Sequence, residues 1–430
     1  MRLLKSLFKK REKRVVIIGL DGVPHTLLKK LVDKGICPNI KNLLKNHNLY
    51  KMDASIPEIS SVSWASFMTG KNPAKHGIYG FTDLKPNSYD IYFPNYLTLK
   101  EKTIWDKLSE DGKKSTVLNL PGTYPAREHN GILVSGFVGI DINKAIHPKD
   151  ILELLKKYDY KIDVDTSKAT DKEFFYKDLF ATLNKREKVF LELWEEECNL
   201  FIAVITDTDR LQHFEWDAIE DEKHKNHTRA IEFYGKVDEF VGKIINKLQS
   251  SDELIMMSDH GFTSIEQEVY LNRILVENGF LKWEEEVPSN FSKIDKSTLA
   301  FALDPSRIYI HKKGKYPKGK VEEKDFDRIK EDLKDIFLNL NYNGENVIRS
   351  FFTKEEIYNG AYIDNAPDFI LISNYGFDLK GNIKSQDIFK RTHFSGMHTQ
   401  DDAFLITKEN FEDKKPHIEN IVQIILSRLR

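Results

Sequence analysis

Short apolar runs recur along this chain, and most of them lead to an acid or a histidine. "RVVIIGLDG" (14 to 22) closes on Asp21, and "NLFIAVITDTD" (199 to 209) leads to Asp209 with His213 four residues later. "ELIMMSDHG" (253 to 261) ends in Asp259 and His260, and "HFSGMHTQDDAFLI" sets His393 and His398 just before a further run. "STVLNLP" (115 to 121), "GILVSGF" (131 to 137) and "DFILIS" (368 to 373) have the same character. Runs this short and rich in Val, Ile and Leu read as strands buried on both faces. Helical patterns such as "RAIEFYGKVDEFVGKIINKLQ" (229 to 249) lie between many of them. The alternation argues an α/β fold, a mostly parallel sheet with helices on both faces. Ligands of such sheets bind beyond the carboxyl ends of the strands. The acids and histidines are therefore expected to converge at one rim.

The chain has 430 residues, enough for two or three domains, but no stretch has linker composition. We expect a basic tail over residues 1–13 and one catalytic domain over 14–430. Two segments look like additions to it: about 145–198, charged and helical, and about 270–345, mixed, with "SRIYIHKKGKYPKG" as a hairpin before a polar helix. The tail, "MRLLKSLFKKREKR", has Leu3, Leu4, Leu7 and Phe8 at helical spacing among basic residues. It reads as a solvated tail, or as peripheral contact with the inner face of a membrane. No run reaches the roughly 20 apolar residues of a membrane span. A net charge of -2 excludes a global field for nucleic acid. Two cysteines, Cys37 and Cys198, give no disulfide framework, so a cytoplasmic location is expected.

Each site fragment has an ordinary explanation. A lone Asp after a strand caps a turn or helix. Asp-His-Gly can be a tight turn, and Asp209 with His213 can be a solvated i, i+4 pair. Asp207 competes with Asp209, but only Asp209 has a histidine four residues on. Taken together, carboxylates and imidazoles at strand ends suit zinc, manganese or iron better than calcium. Six such ligands are too many for one zinc and suit two metals, which clamp the oxygens of a phosphoryl transfer. That chemistry needs a nucleophile, and "PEISSVSWASFMTGKNPAKHGI" (57 to 78) offers Ser60, Ser61, Ser63 and Ser66. The local sequence does not choose among them.

The ordered set "GLDG", "PEISSVSWASFMTGKNPAKHGI", "DTDRLQHFEW", "SDHGF" and "GMH" resembles the alkaline phosphatase superfamily. The match is to its type I phosphodiesterase/nucleotide pyrophosphatase branch, and the similarity runs from about residue 14 to the end. The resemblance implies an alkaline-phosphatase-like three-layer sandwich. It implies one divalent metal held by Asp209, His213 and His398, with Gly-x-His favouring His398 over His393. A second metal would be held by Asp21, Asp259 and His260, with Ser60 as nucleophile and further ligand. Zinc is expected first, with manganese or iron as alternatives. Relatives carry Asn three residues after the nucleophile; here Ser63 stands there and is expected to donate to a phosphate oxygen. His76 is expected to hold the Thr-Gly turn.

The resulting expectation is a two-metal phosphoric ester hydrolase with a phosphoseryl intermediate on Ser60. No Arg adjoins Ser60 in sequence, which favours diesters over monoesters. The partner is a phosphorylated small molecule, nucleotide, sugar or lipid-linked substrate, with no nucleic-acid binding. Arg307, Lys312, Lys313 and Lys315 read as a solvated hairpin face. A phosphomonoesterase and a phosphomutase are alternatives within the superfamily, the mutase using residues 145–198 as a lid. A non-catalytic metal-binding scaffold is the alternative from another class.

Overall fold

A computed structural model describes residues 13–411 and 415–429. The tail expected over residues 1–13 thus lies, except for Lys13, outside the described residues. The strands used below are, in chain order, β1 (Val15–Leu20), β2 (Asn48–Met52), β3 (Ser115–Leu120), β4 (Gly131–Ser135), β5 (Ile146–His147), β6 (Leu200–Ile205) and β7 (Glu253–Met257). They continue with β8 (Gly261–Tyr270), β9 (Ala300–Leu303), β10 (Arg307–Ile310), β11 (Ile348–Thr353), β12 (Phe369–Ser373), β13 (Gly376–Lys380), β14 (Gly396–Thr399) and β15 (Ala403–Thr407). The helices named are α1 (Ser60–Thr69), α2 (Lys172–Leu193), α3 (Asp207–Glu220) and α4 (His227–Ile245).

The central sheet has the order β2-β15-β7-β1-β6-β3-β4-β5. Strands β7, β1, β6, β3 and β4 run parallel, and β2, β15 and β5 pair antiparallel at the flanks. Alternation along each strand divides its side chains between two cores. On β1, Val16, Ile18 and Leu20 enter one core, and Val15 and Ile17 enter the other. On β6, Phe201, Ala203 and Ile205 oppose Leu200, Ile202 and Val204 in the same way. The first core is covered by α2, α3 and α4, and the second by α1 and the C-terminal helix Ile421–Leu429. This is the three-layer sandwich expected from the sequence.

Two segments differ from the sequence reading. The helical segment 145–198 supplies α2, whose Phe175, Leu179, Leu183, Phe190 and Leu193 lie in the first core. The charged residues between them mask a core-facing stripe. The run "DFILIS" forms β12, which lies in a separate antiparallel sheet of order β9-β10-β12-β11 rather than in the central one. A fully buried run looks the same in either sheet. The third core, around this second sheet, draws on side chains as far as Leu379, beyond the expected limit of 345. The long strand β8 joins the two regions: its first residues pair with β14 and its later ones with β13.

Candidate active site

The rim formed where β1, β6 and β7 end carries two groups of side chains. Asp21, Asp259 and His260 form one, and Asp209, His213 and His398 the other. Within each group the candidate donor atoms lie within 4.8 Å of one another. The groups adjoin, since the rings of His260 and His398 stack with centroids 3.7 Å apart.

Local structure explains each placement. Asp21 follows β1 directly, and the next residue, Gly22, holds φ +70 while its N–H donates to Asp259 Oδ1 at 3.0 Å. A Cβ on Gly22 would stand 3.0 Å from Gln212 Nε2 and 3.1 Å from the Phe262 ring, so the second glycine of "GLDG" answers both backbone and space. Asp209 and His213 lie one turn apart on α3, with Nε2 of the histidine 3.5 Å from Asp209 Oδ1. His398 arrives on β14, opposite Phe262 of β8, with Nε2 3.3 Å from Asp209 Oδ1.

All three histidines are held alike. Nδ1 of His213 faces Gly396 O at 3.2 Å, that of His260 faces Gly261 O at 3.1 Å, and that of His398 faces Glu58 O at 2.9 Å. A carbonyl only accepts, so Nδ1 carries the proton and Nε2 presents a lone pair to the cluster. Nε2 of His213 and Nε2 of His398 face each other at 3.1 Å. Asp209 Oδ1 and Asp259 Oδ2 are buried and have no hydrogen-bond partner. Opposed lone pairs and orphaned carboxylate oxygens are what a donor set for cations looks like without its cations, and the residues fit divalent metals.

The electrostatics agree. Burial pushes Asp21 well above the usual carboxylate range, helped by the charges of Asp259 and Asp209. Burial likewise pushes Asp259 up to about 7 and takes His213 and His260 down to about 4. For Asp209 burial is outweighed by His213, His398 and Arg210, which hold its carboxyl below the usual range. A rim of crowded acids and neutral imidazoles lacks positive charge.

Ser60 is the first residue of α1, with Ile59 at the cap position. Its Oγ lies 3.2 Å from His260 Nε2 and 3.4 Å from Asp21 Oδ1. Its hydroxyl is therefore the one that the fold brings to a cluster. Ser63 is not brought there. It is fully buried, and its Oγ is 2.7 Å from Ser55 Oγ. Ser55 already donates to Pro57 O at 2.9 Å, so Ser63 must donate to Ser55 and has no proton left for a phosphate oxygen. Ser66 bonds His76 Nε2 at 3.0 Å, and His76 Nδ1 accepts from Ile78 N–H, so His76 ties α1 to the chain just after it, while Thr69 and Gly70 bond back into α1. His393 stacks on Phe214 and stands in neither cluster.

The sequence reading missed two residues here. Trp64 Nε1–H donates to Asp21 Oδ2 at 3.0 Å, fixing the carboxylate from α1. Arg210 donates from Nη1 to Asp209 Oδ2 at 2.8 Å and from Nη2 to Asp163 Oδ2 at 2.8 Å, with its guanidinium 4.3 Å from the Phe137 ring centre. An arginine thus does adjoin the site, although both its charge partners are carboxylates of the protein. Trp64 stands one helical turn after Ser60, a spacing that could have pointed to it. Asp163 is 47 residues from Arg210 and gave no local signal.

A model of type I phosphodiesterases/nucleotide pyrophosphatases matches residues 15–401. The chain belongs to that family. As a member it is a metal-dependent phosphoryl hydrolase. No curated protein matches the chain by sequence. Among solved structures it is similar to phosphonoacetate hydrolase from Sinorhizobium meliloti 1021 in complex with phosphonoformate. That match has a TM-score of 0.64 at 14% identity, over 98% of this chain and 96% of that one. An inactive form of murine ectonucleotide pyrophosphatase/phosphodiesterase 5, in complex with AMP, gives 0.59 at 15% identity, over 97% and 95%. A mutant of the alkaline phosphatase PafA gives 0.58 at 13%, over 98% and 96%. At these identities the likeness shows the fold, that of the alkaline phosphatase superfamily. Among the described residues of this phosphodiesterase-family chain, no helix is long and apolar enough to cross a membrane.

Proposed function

We propose that the protein is a two-metal phosphodiesterase in which Ser60 is the nucleophile. The observation that carries this is the placement of one serine hydroxyl against two adjoining three-donor clusters whose Nε2 lone pairs and carboxylate oxygens point inward. Asp21, Asp259, His260 and Ser60 would hold one cation, and Asp209, His213 and His398 the other. Oxygen and imidazole donors, four protein ligands at the first cation and three at the second, suit zinc, with manganese or iron next. When bound, such cations supply the charge that lowers the pKa of a hydroxyl and neutralises phosphoryl oxygens.

The chain's own groups account for the rest. Asp21 Oδ1 and His260 Nε2 stand 3.4 and 3.2 Å from Ser60 Oγ and hold it against the cluster; with both committed as ligands, the Ser60 proton is lost to solvent. Ser60 Oγ then bonds phosphorus as the bond to one ester oxygen breaks, and water later cleaves the phosphoseryl ester. The N–H groups of Ser60 and Ser61, ahead of the Val62 and Ser63 N–H groups that donate to Ile59 O, favour an anion beside Ser60. Trp64 orients Asp21, and the three Nδ1–H bonds orient the imidazoles.

Charge supports a diester. A monoester brings two negative charges where a diester brings one, and the second calls for an uncommitted cationic side chain. Arg210 is not one, because Asp163 and Asp209 share it. The mutase alternative needs 145–198 free to close over the site, yet α2 within it packs in the first core and Asp163 is tied to Arg210. Cys37 and Cys198 are both buried, which supports a cytoplasmic protein that acts on phosphorylated small molecules. Ser60→Ala should lower turnover of bis-p-nitrophenyl phosphate by at least about 10³-fold, with metal content unchanged. A near-native rate would remove Ser60 from this role.

A further inference from the structure

Three charged side chains stand in a row beside the second donor group. Arg210 Nη1 donates to Asp209 Oδ2 at 2.8 Å. On the other side, Arg210 Nη2 and Nε donate to Asp163 Oδ2 at 2.8 and 3.1 Å. The guanidinium lies 4.3 Å from the centre of the Phe137 ring, and Phe137 meets Phe81 edge to face at 5.6 Å. Phe81 in turn lines the cavity that opens beside His213 and His398. The row therefore stands one carboxylate away from the donor atoms and behind a wall of the space that an ester must enter.

Each member of the row is held in place. Val164 N–H donates to Asp163 Oδ1 at 2.9 Å, and Lys161, two residues earlier, is taken by Asp178. Among the described residues, Arg210 is the only cation paired with Asp163, and Asp163 and Asp209 are the only carboxylates paired with Arg210. The side chains of Arg210 and Asp163 are 14% and 20% exposed, so water and salt screen their charges only in part. Asp209 Oδ1 faces Nε2 of His213 and of His398, where a cation would use the charge of that carboxylate. Asp163 is then the remaining counter-charge of Arg210. An acid so near the site of an anion would weaken binding on its own. Paired with Arg210, it leaves the neighbourhood neutral instead.

We propose that Asp163 determines specificity: by cancelling the charge of Arg210, it favours a singly charged ester over a doubly charged one. This rests on the diesterase reading and adds the residue, from segment 145–198, that enforces it. Without Asp163, Arg210 would bring net positive charge toward the phosphoryl oxygens. A merely structural ion pair would slow both kinds of ester alike. Methyl p-nitrophenyl phosphate and p-nitrophenyl phosphate share a leaving group and differ by one charge at about pH 8. Their kcat/KM values would be compared with zinc in excess. Asp163→Asn should raise the ratio of monoester to diester by about fivefold or more, the effect of one unit charge in a partly screened site. Arg210→Met should lower that ratio, and the two substitutions together should return it toward the wild-type value. A ratio within one variant is independent of how much of it folds. An unchanged or lower ratio in Asp163→Asn, or a double variant that keeps the raised ratio, would overturn this proposal and leave the diesterase reading standing. A wild type that prefers the monoester, or that cleaves neither ester, would overturn both.

Discussion

Ser60 and Ser63 sit about one turn apart on the same helix, with the same side chain and different surroundings. Ser60 Oγ faces an imidazole nitrogen and a carboxylate oxygen; Ser63 Oγ is taken by a neighbouring serine. The local sequence could not separate them, because the partners of Ser60, Asp21 and His260, lie 39 and 200 residues away. His76 shows a different use of burial. It accepts from Ile78 N–H at Nδ1 and donates to Ser66 at Nε2, and burial takes its pKa down to about 3. Unfolded, it would titrate near 6.5. Between those values the unfolded chain binds more protons, so stability falls as pH drops from about 6.5 toward 3 and is fully present above 6.5. At pH 5 the loss from this one residue is about 2 kcal/mol. His76→Asn should show a flatter dependence of unfolding free energy between pH 7.5 and 5 than the wild type. Parallel curves would mean that His76 is not kept neutral.

Among the elements, α3 depends most on a distant partner. Its first residue, Asp207, is fully buried and pairs with Arg186 of α2, which also donates to Thr206 Oγ1 at 2.7 Å. This pair fixes the end of α3 that carries Asp209. Arg186→Met should cost about 3–5 kcal/mol in urea unfolding, because the carboxylate stays buried without its cation. A change below about 1 kcal/mol would show that Asp207 does not need it. The pair also marks where legibility stops. Strands ending in Asp21, Asp209 and Asp259 could be read because a buried run followed by an acid is a local pattern. The metal-type residues could be grouped because parallel strands share one rim. The sheet to which "DFILIS" belongs could not be read, since burial alone sets its composition. Nor could Asp163 with Arg210 or Arg186 with Asp207, which are long-range contacts without periodicity, or Ser63 with Ser55, a pair set by the path of the loop before α1.

For the molecule as a whole, the two clusters concentrate three buried carboxylates and three imidazoles at one rim. Cations bound there only in the folded state stabilise it by about 4 kcal/mol per site at 1,000 times Kd. Chelation should therefore lower Tm, zinc should restore it, and the effect should shrink in Asp209→Asn. An unchanged Tm on chelation would refute structural coupling of the clusters. The chain order of the parts has one more consequence. The group of Asp21, Asp259 and His260 is complete once residue 260 exists, whereas the other waits for His398 on β14. Strand β15, between β2 and β7, follows it and closes the sheet last. During synthesis Asp21, Ser60, Asp259 and His260 thus all emerge before His398 does. Until His398 has been made, a growing chain would hold one donor group complete and the other one residue short.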